Sequence, residues 1–332
     1  MKIINIDIQS NSPKYKQIVA SVEVAIAENR LKRNDKLPTV NKLSLEYSIS
    51  RDTVLLAYDA LKKRGIIYAI LGKGYYVKSV QVTIQQKIFL LFDELNIFKE
   101  DIYNSFLENI GKDVQVDIFF HHFNSQVFQK LIKDANGNYT KYIIMPTNLA
   151  DAASIIKLLP ENDVFILDQT NPELMNYPSV HQNFTKNIYD AMQKGKSRLD
   201  KYEKMILIFP GFREPIGMKI GFEQFCQEFN FEYEILTEFK NREIKLGEVY
   251  LIPNDRDLVR VIEKSEGQAL KLGQDFGIIS YNETPLKKVV ANGITTISTN
   301  FEAMGKIVAL MILNAKREQV ENECSLIMRN SL

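Results

Sequence analysis

The 332-residue sequence predicts two fold classes in one chain: a small α+β head over residues 1–78 and a two-lobed α/β body over residues 87–332, joined by a polar linker at 79–86. Three observations predict this. Residues 37–77 read as a short helix, a tight turn, a longer basic helix and a β-hairpin. Charge is divided unevenly, with 14 Lys and Arg against 7 Asp and Glu in residues 1–78, and 28 against 34 in the remainder. From residue 87 onward, strand-like and helix-like segments alternate, the pattern of parallel α/β sheets. A basic head on a mildly acidic body is the asymmetry expected when only the head meets a polyphosphate.

Bulk properties exclude several classes. Hydrophobic residues make up 45% and charged residues 25% of the chain, which places it among soluble globular proteins rather than disordered ones. No apolar run approaches the ~20 residues that span a bilayer. The start, MKIINIDIQS, lacks the parts of a signal peptide, so a cytoplasmic protein with no membrane partner is expected. Cys226 and Cys324 fit a reducing compartment and have no metal spacing. No G-x-S-x-G elbow, H-E-x-x-H pair or P-loop occurs, so no catalytic residue, cofactor or metal is expected.

In the head, Pro13 opens the first helix, where its missing N–H costs nothing. Ile18, Val22, Ile26 and Leu31 give it a buried stripe. Thr39 caps a second helix whose buried side carries Leu43, Leu45 and Tyr47. Ser48-Ile49-Ser50 is the turn, and Ser50 caps a third helix from Arg51 to about Arg64, with Val54, Ala57, Tyr58 and Leu61 inward. That helix is roughly 20 Å long, enough to lie across a major groove about 12 Å wide. Gly65 ends it, and strands at 66–70 and 75–77 flank a turn at Leu71-Gly72-Lys73-Gly74. A cation such as Arg51 is unfavourable at a helix N-terminus, so a phosphate or guanine is expected opposite it.

These stretches (PKYKQI, NDKLPT, SISRDTVLLAYDALKKRGII and GKGYYV) resemble, in order, the winged helix-turn-helix of the GntR regulators. The resemblance implies binding to double-stranded operator DNA. It places Ser50, Arg51 and Thr53 on bases or phosphates and Gly72, Lys73 and Gly74 in the minor groove. Thr39, Asn41 and Lys42 at the start of the second helix join this set, with Asn41 standing where the family usually has a cation.

In the body, strands are expected at 88–92, 114–120, 142–145, 164–167, 205–209, 232–236, 249–252 and 277–280, and helices at 98–110, 127–135, 215–229 and 257–272. Open α/β sheets bind ligands beyond the carboxyl ends of their strands. Those exits carry Asp93, His121, Phe123, Asp168, Asp255 and Asn282, a set of carboxylates, amides and aromatics suited to a small polyhydroxylated ligand. His121 and His122 are neighbours on a strand end and point to opposite faces, so they make no two-His metal site.

IPNDRDLVRVIE, GIISYNETP, ITTISTNFEAMGKIVALMIL and CSLIMRNSL resemble the LacI or periplasmic-binding-protein (type 1) effector domain. The resemblance implies an N-terminal winged helix-turn-helix followed by a two-lobed α/β periplasmic-binding-protein-like body, similar to arabinose-type sugar regulators. It assigns ligand contact to Asp255 and Asn282, and to an arginine near the first helix of the second lobe, for which Arg213 is the first candidate and Lys219 the second. The function implied is a repressor, acting as a homodimer, that releases DNA when a monosaccharide binds. A nucleoside or other small polar metabolite, or a sugar binder without a DNA role, is the alternative.

Overall fold

The computed structural model describes residues 3–7, 9–10, 12–80, 86–112, 114–240 and 242–332. The head holds α1 (Lys14–Ala27), α2 (Val40–Tyr47), α3 (Arg51–Lys63) and an antiparallel hairpin of β1 (Ile67–Ile70) and β2 (Gly74–Val77). The caps are local. Thr39 Oγ1 accepts from the Lys42 N–H at 3.2 Å, and Ser50 Oγ from the Thr53 N–H at 3.1 Å. Ser48 turns the chain after α2 with φ 52°. Gly65, at φ 71°, closes α3 while the Ile66 N–H donates to the Leu61 carbonyl at 3.0 Å.

One core unites these elements, including Ile18, Val22, Ile26, Leu31, Leu43, Tyr47, Val54, Ala57, Tyr58 and Leu61. Tyr58 donates its hydroxyl to the Pro38 carbonyl at 2.6 Å and sets its ring 4.7 Å from that of Tyr75, pinning α3 between the start of α2 and the wing. Leu45, expected inside, is 82% exposed. Leu43 and Tyr47, four apart, share the buried side, and a residue two positions from each cannot join them. The segment before α2 also joins the wing: the Leu37 N–H donates to Tyr75 O at 2.9 Å and the Val77 N–H to Asp35 O at 3.0 Å.

The body begins with β3 (Gln86–Phe92), α4 (Ile97–Ile110), β4 (Val114–Phe120), α5 (Ser125–Ala135), β5 (Lys141–Ile144), α6 (Ala152–Ile156), β6 (Val164–Asp168) and β7 (Ser179–His181). Of the linker expected at 79–86, residues 81–85 lie outside the described residues and Gln86 already belongs to β3. The chain crosses into α7 (Phe184–Lys194), α8 (Lys196–Leu199), β8 (Lys204–Ile208), α9 (Ile216–Glu228), β9 (Glu232–Leu236), β10 (Glu248–Ile252), α10 (Asp255–Gly267), β11 (Gly277–Tyr281) and β12 (Thr295–Thr299). It then returns for α11 (Phe301–Leu313) and β13 (Gln319–Glu321), and crosses again to β14 (Cys324–Ile327).

Two six-stranded sheets result, ordered β13-β7-β6-β5-β3-β4 and β14-β12-β11-β10-β8-β9. Every body pairing is parallel except β14 against β12. Apolar side chains cover both faces of each sheet, which is what parallel strands require. One helix pair in each lobe meets at backbone distance. A Cβ on Gly305 of α11 would lie 2.2 Å from the Ile102 carbonyl oxygen of α4, and one on Gly221 of α9 would lie 2.2 Å from that of Thr185 in α7. α10 starts two residues before the expected 257, so Asp255 stands in its first turn and Asn254 is the cap.

Candidate functional site

The head presents its expected contact residues on one exposed set of loops and helix starts. Thr39, Asn41, Lys42, Ser50, Arg51, Gly72 and Lys73 are exposed, and Thr53 and Gly74 half-buried. The side chains of Lys42, Arg51 and Lys73 have no ion-pair or hydrogen-bond partner among the described residues. By contrast Lys62 pairs with Asp59 at 3.1 Å, and Arg64 pairs with Glu23. Gly72 (φ 74°) and Gly74 (φ 109°) hold Lys73 at the wing tip in a backbone that side-chain-bearing residues rarely adopt. Arg64 and Ala60 line a groove of about 1170 Å³ between the head and the first lobe. The C-terminal end of α3 therefore faces the body and Arg51 faces away. Pro13 and Lys16 form the contact: Lys16 Nζ donates to Asn138 Oδ1, and Gly137 leaves no room for a Cβ against Pro13.

The parallel strands end at the seam between the lobes, where the backbone is unusual. His122, Phe123, Thr147, Asp168 and Asn282 all have φ between 50° and 69°. Such conformations cost about 1–3 kcal/mol each and persist where surroundings impose them.

In the first lobe, His121 is buried with Nε2 3.0 Å from the Met145 carbonyl. A carbonyl only accepts, so Nε2 carries the proton. Nδ1 is left as a buried acceptor with no partner among the described residues. Burial holds the imidazole below its ordinary pKa. Asp93 lies 3.0 Å from Lys99 Nζ. Asp168 accepts from Gln182 Nε2 at 2.5 Å, and burial pushes its carboxyl up against the pull of Lys99. Gln182 Oε1 in turn accepts from the Tyr281 hydroxyl at 3.0 Å and from Thr299 Oγ1. Asp168 thus sits on a buried polar network that joins both lobes where the chain crosses.

In the second lobe, Lys287 is the organising residue. Its buried ammonium donates to the carbonyls of Tyr281 at 2.8 Å and Asn282 at 2.9 Å and lies 3.0 Å from Asp255 Oδ1. Asp255 and Asn282 are thereby tied together. Asp257, two residues on, is buried and accepts from the Phe239 N–H at 3.3 Å. Across the seam, Arg213 Nη1 of the second lobe reaches Glu94 Oε2 of the first at 2.7 Å, with its guanidinium 4.7 Å above the Phe123 ring. Phe123 stands 6.2 Å from the His121 ring. The structure therefore gathers His121, Phe123 and Arg213 into one cluster and Asp255 and Asn282 into another, and places Asp93 and Asp168 beside Lys99.

Residues 14–77 match the family described as bacterial regulatory proteins, gntR family. The HTH-type transcriptional repressor YtrA of Bacillus subtilis (strain 168) is 30% identical over 100 residues, 30% of this chain and 73% of its own. The chain belongs to the gntR family. An uncharacterized HTH-type transcriptional regulator of the same organism, YydK, is 23% identical over 272 residues, 81% of this GntR-family chain and 93% of its own. The arabinose metabolism transcriptional repressor of Geobacillus stearothermophilus is 34% identical over 65 residues, 20% and 18%. In fold, a LacI family transcriptional regulator from Silicibacter pomeroyi aligns with TM-score 0.63 at 11% identity over 74% of this chain and 98% of its own. A periplasmic binding protein/LacI transcriptional regulator from Alkaliphilus metalliredigens QYMF, complexed with D-xylulofuranose, aligns with TM-score 0.57 at 15% identity over 74% and 98%. The GntR-family chain is a transcriptional regulator with a winged helix-turn-helix head and a periplasmic-binding-protein-like body. Its family and relatives are regulators, not enzymes. No helix among its described residues is long and apolar enough to cross a membrane.

Sequence reasoning missed Lys99, Gln182 and Lys287. Lys99 in NIFKED and Lys287 in PLKK read as solvated helix or loop charges. Gln182 acquires its role only through partners 14, 99 and 117 residues away.

Proposed function

We propose that this regulator represses sugar-utilisation genes. A homodimer presents two heads to an operator of two half-sites, and a monosaccharide in the interlobe cleft releases it. In this reading residues 1–78 dock on DNA. Thr39, Asn41, Lys42, Ser50, Arg51 and Thr53 enter the major groove, and Gly72, Lys73 and Gly74 the minor groove. Asp93, His121, Phe123, Asp168, Arg213, Asp255 and Asn282, within 87–332, form the effector site. The observation that carries the reading is the closure of Arg213 on Glu94 and Phe123 across the lobes, at the strand ends where such folds take ligands. Support for a sugar comes from the arabinose repressor among the relatives and from the D-xylulofuranose in one similar structure.

The test is fluorescence anisotropy with DNA from upstream of the chain's own gene, titrated with monosaccharides. Wild type should bind and then release. Arg213→Ala should bind with unchanged affinity and fail to release. Binding that no monosaccharide alters removes the sugar from the proposal.

A further inference from the structure

Charge at the strand ends is already balanced within the chain. Lys99 is held by Asp93 at 3.0 Å, Arg213 by Glu94 at 2.7 Å and Lys287 by Asp255 at 3.0 Å. Lys99 and Lys287 are buried or nearly so on their side chains. Arg213 is more open, but its planar group is doubly engaged, by the Glu94 carboxylate and by the Phe123 face. Lys99 also faces Asp168, so two carboxylates share that one ammonium. Arg256, in the first turn of α10, and Lys288, beside Lys287, are exposed to solvent.

The buried polar atoms left without a partner at these strand ends are of another kind. Among the described residues they include His121 Nδ1 after β4, Thr170 Oγ1 after β6, Asn282 Oδ1 after β11 and Asn322 Oδ1 after β13. Each belongs to an uncharged group. The imidazole nitrogen and the amide oxygens accept hydrogen bonds, and the hydroxyl both donates and accepts. Such atoms answer hydroxyl groups.

We propose that the cleft takes an uncharged polyhydroxylated effector and rejects the phosphate esters and acids of the same sugars, because each buried or lobe-bridging cation at the strand ends is already neutralised by a carboxylate of this chain. This rests on the effector-cleft reading above and narrows it to a class. A phosphate could take one of these cations only by displacing its carboxylate. The incoming anion would then stand beside a carboxylate of the chain, and like charges at that range repel; at Lys99 the displaced Asp93 would also be left buried and unpaired, the costly way to break an ion pair.

The experiment is calorimetric titration and thermal shift of the full chain. The probes are D-ribose, L-arabinose, D-xylose and D-glucose, set against D-ribose 5-phosphate, D-glucose 6-phosphate and D-glucuronate. At least one neutral sugar should raise the melting temperature, and its charged derivative should bind about tenfold or more weakly. Glu94→Gln, which frees Arg213 while keeping side-chain size, should narrow that ratio in favour of the charged derivative, whatever it does to overall affinity. A charged derivative that binds as tightly as its parent overturns the inference and leaves the cleft as an effector site. So does a ratio that Glu94→Gln does not move. If no probe of either class binds, the effector-cleft reading fails and takes the inference with it.

Discussion

Arg51 opens α3 with an exposed guanidinium that has no ion pair or hydrogen-bond partner among the described residues, although Asp59 and Glu23 hold cations further along the same helix. If it meets a base or phosphate, Arg51→Ala should weaken operator binding by about 1–3 kcal/mol. Effector affinity should stay unchanged, because the proposed effector site lies in the body. Anisotropy for DNA and calorimetry for sugar separate the two effects, and equal losses in both would argue against the docking role. His121 gives a pH prediction. Burial lowers its folded pKa, with Asp93 opposing and losing. The neutral ring is therefore the form that folding favours. Its contribution is whole above the unfolded value near 6.5 and is lost as pH falls from there toward the lower folded value. The melting temperature should drop between about pH 7 and pH 5, and His121→Asn should flatten that part of the profile. An unaltered slope in the variant would show that the acid sensitivity lies elsewhere.

The two close helix crossings rest on single glycines. A methyl at Gly305 would meet the Ile102 carbonyl oxygen at 2.2 Å, so α11 must move off α4 to admit it. Gly305→Ala should cost about 1–3 kcal/mol, as overpacking does, seen as a lower urea midpoint. A neutral result would mean that the crossing opens freely. Elements also mark how far the sequence could be read. The head was legible nearly residue by residue, because its caps, turn glycine and apolar spacing act over three or four positions: Thr39, Ser50 and Gly65 stand where expected. Eight body strands were legible as apolar runs between helices. β7 and β13 were not, since three residues carry no periodicity. β12, TTIST, hides its burial behind hydroxyls, which are paired inside with Glu283 and Arg329 O. Of the candidate site, Asp255, Asn282 and Phe123 were named from their places after strands, and Arg213 from the family resemblance. The lysine joining the first two was not, because its role follows from folding the 283–294 loop back over α10.

At the scale of the molecule, the head rests on the first lobe through Pro13 and Lys16 against Gly137 and Asn138, just before β5, whose far end carries Met145 and its bond to His121. If that contact transmits lobe closure, Lys16→Ala should leave operator affinity intact and reduce the sugar's power to release DNA. A full response in the variant would place the coupling elsewhere. The demand on such a switch is large: moving it from 99:1 to 1:99 requires an effector preference of about 5.5 kcal/mol. The three crossings between lobes carry a consequence for synthesis. The head core is complete by Val77. Neither body sheet gains its last edge strand until residues 319–327 have been made, because β13 closes one and β14 the other. On the ribosome, the head core is thus finished some 240 residues before either body sheet is. A chain broken off by premature termination in the body would carry a complete head core and unfinished body sheets, so under the proposed function it would still bind operator and no longer answer the effector.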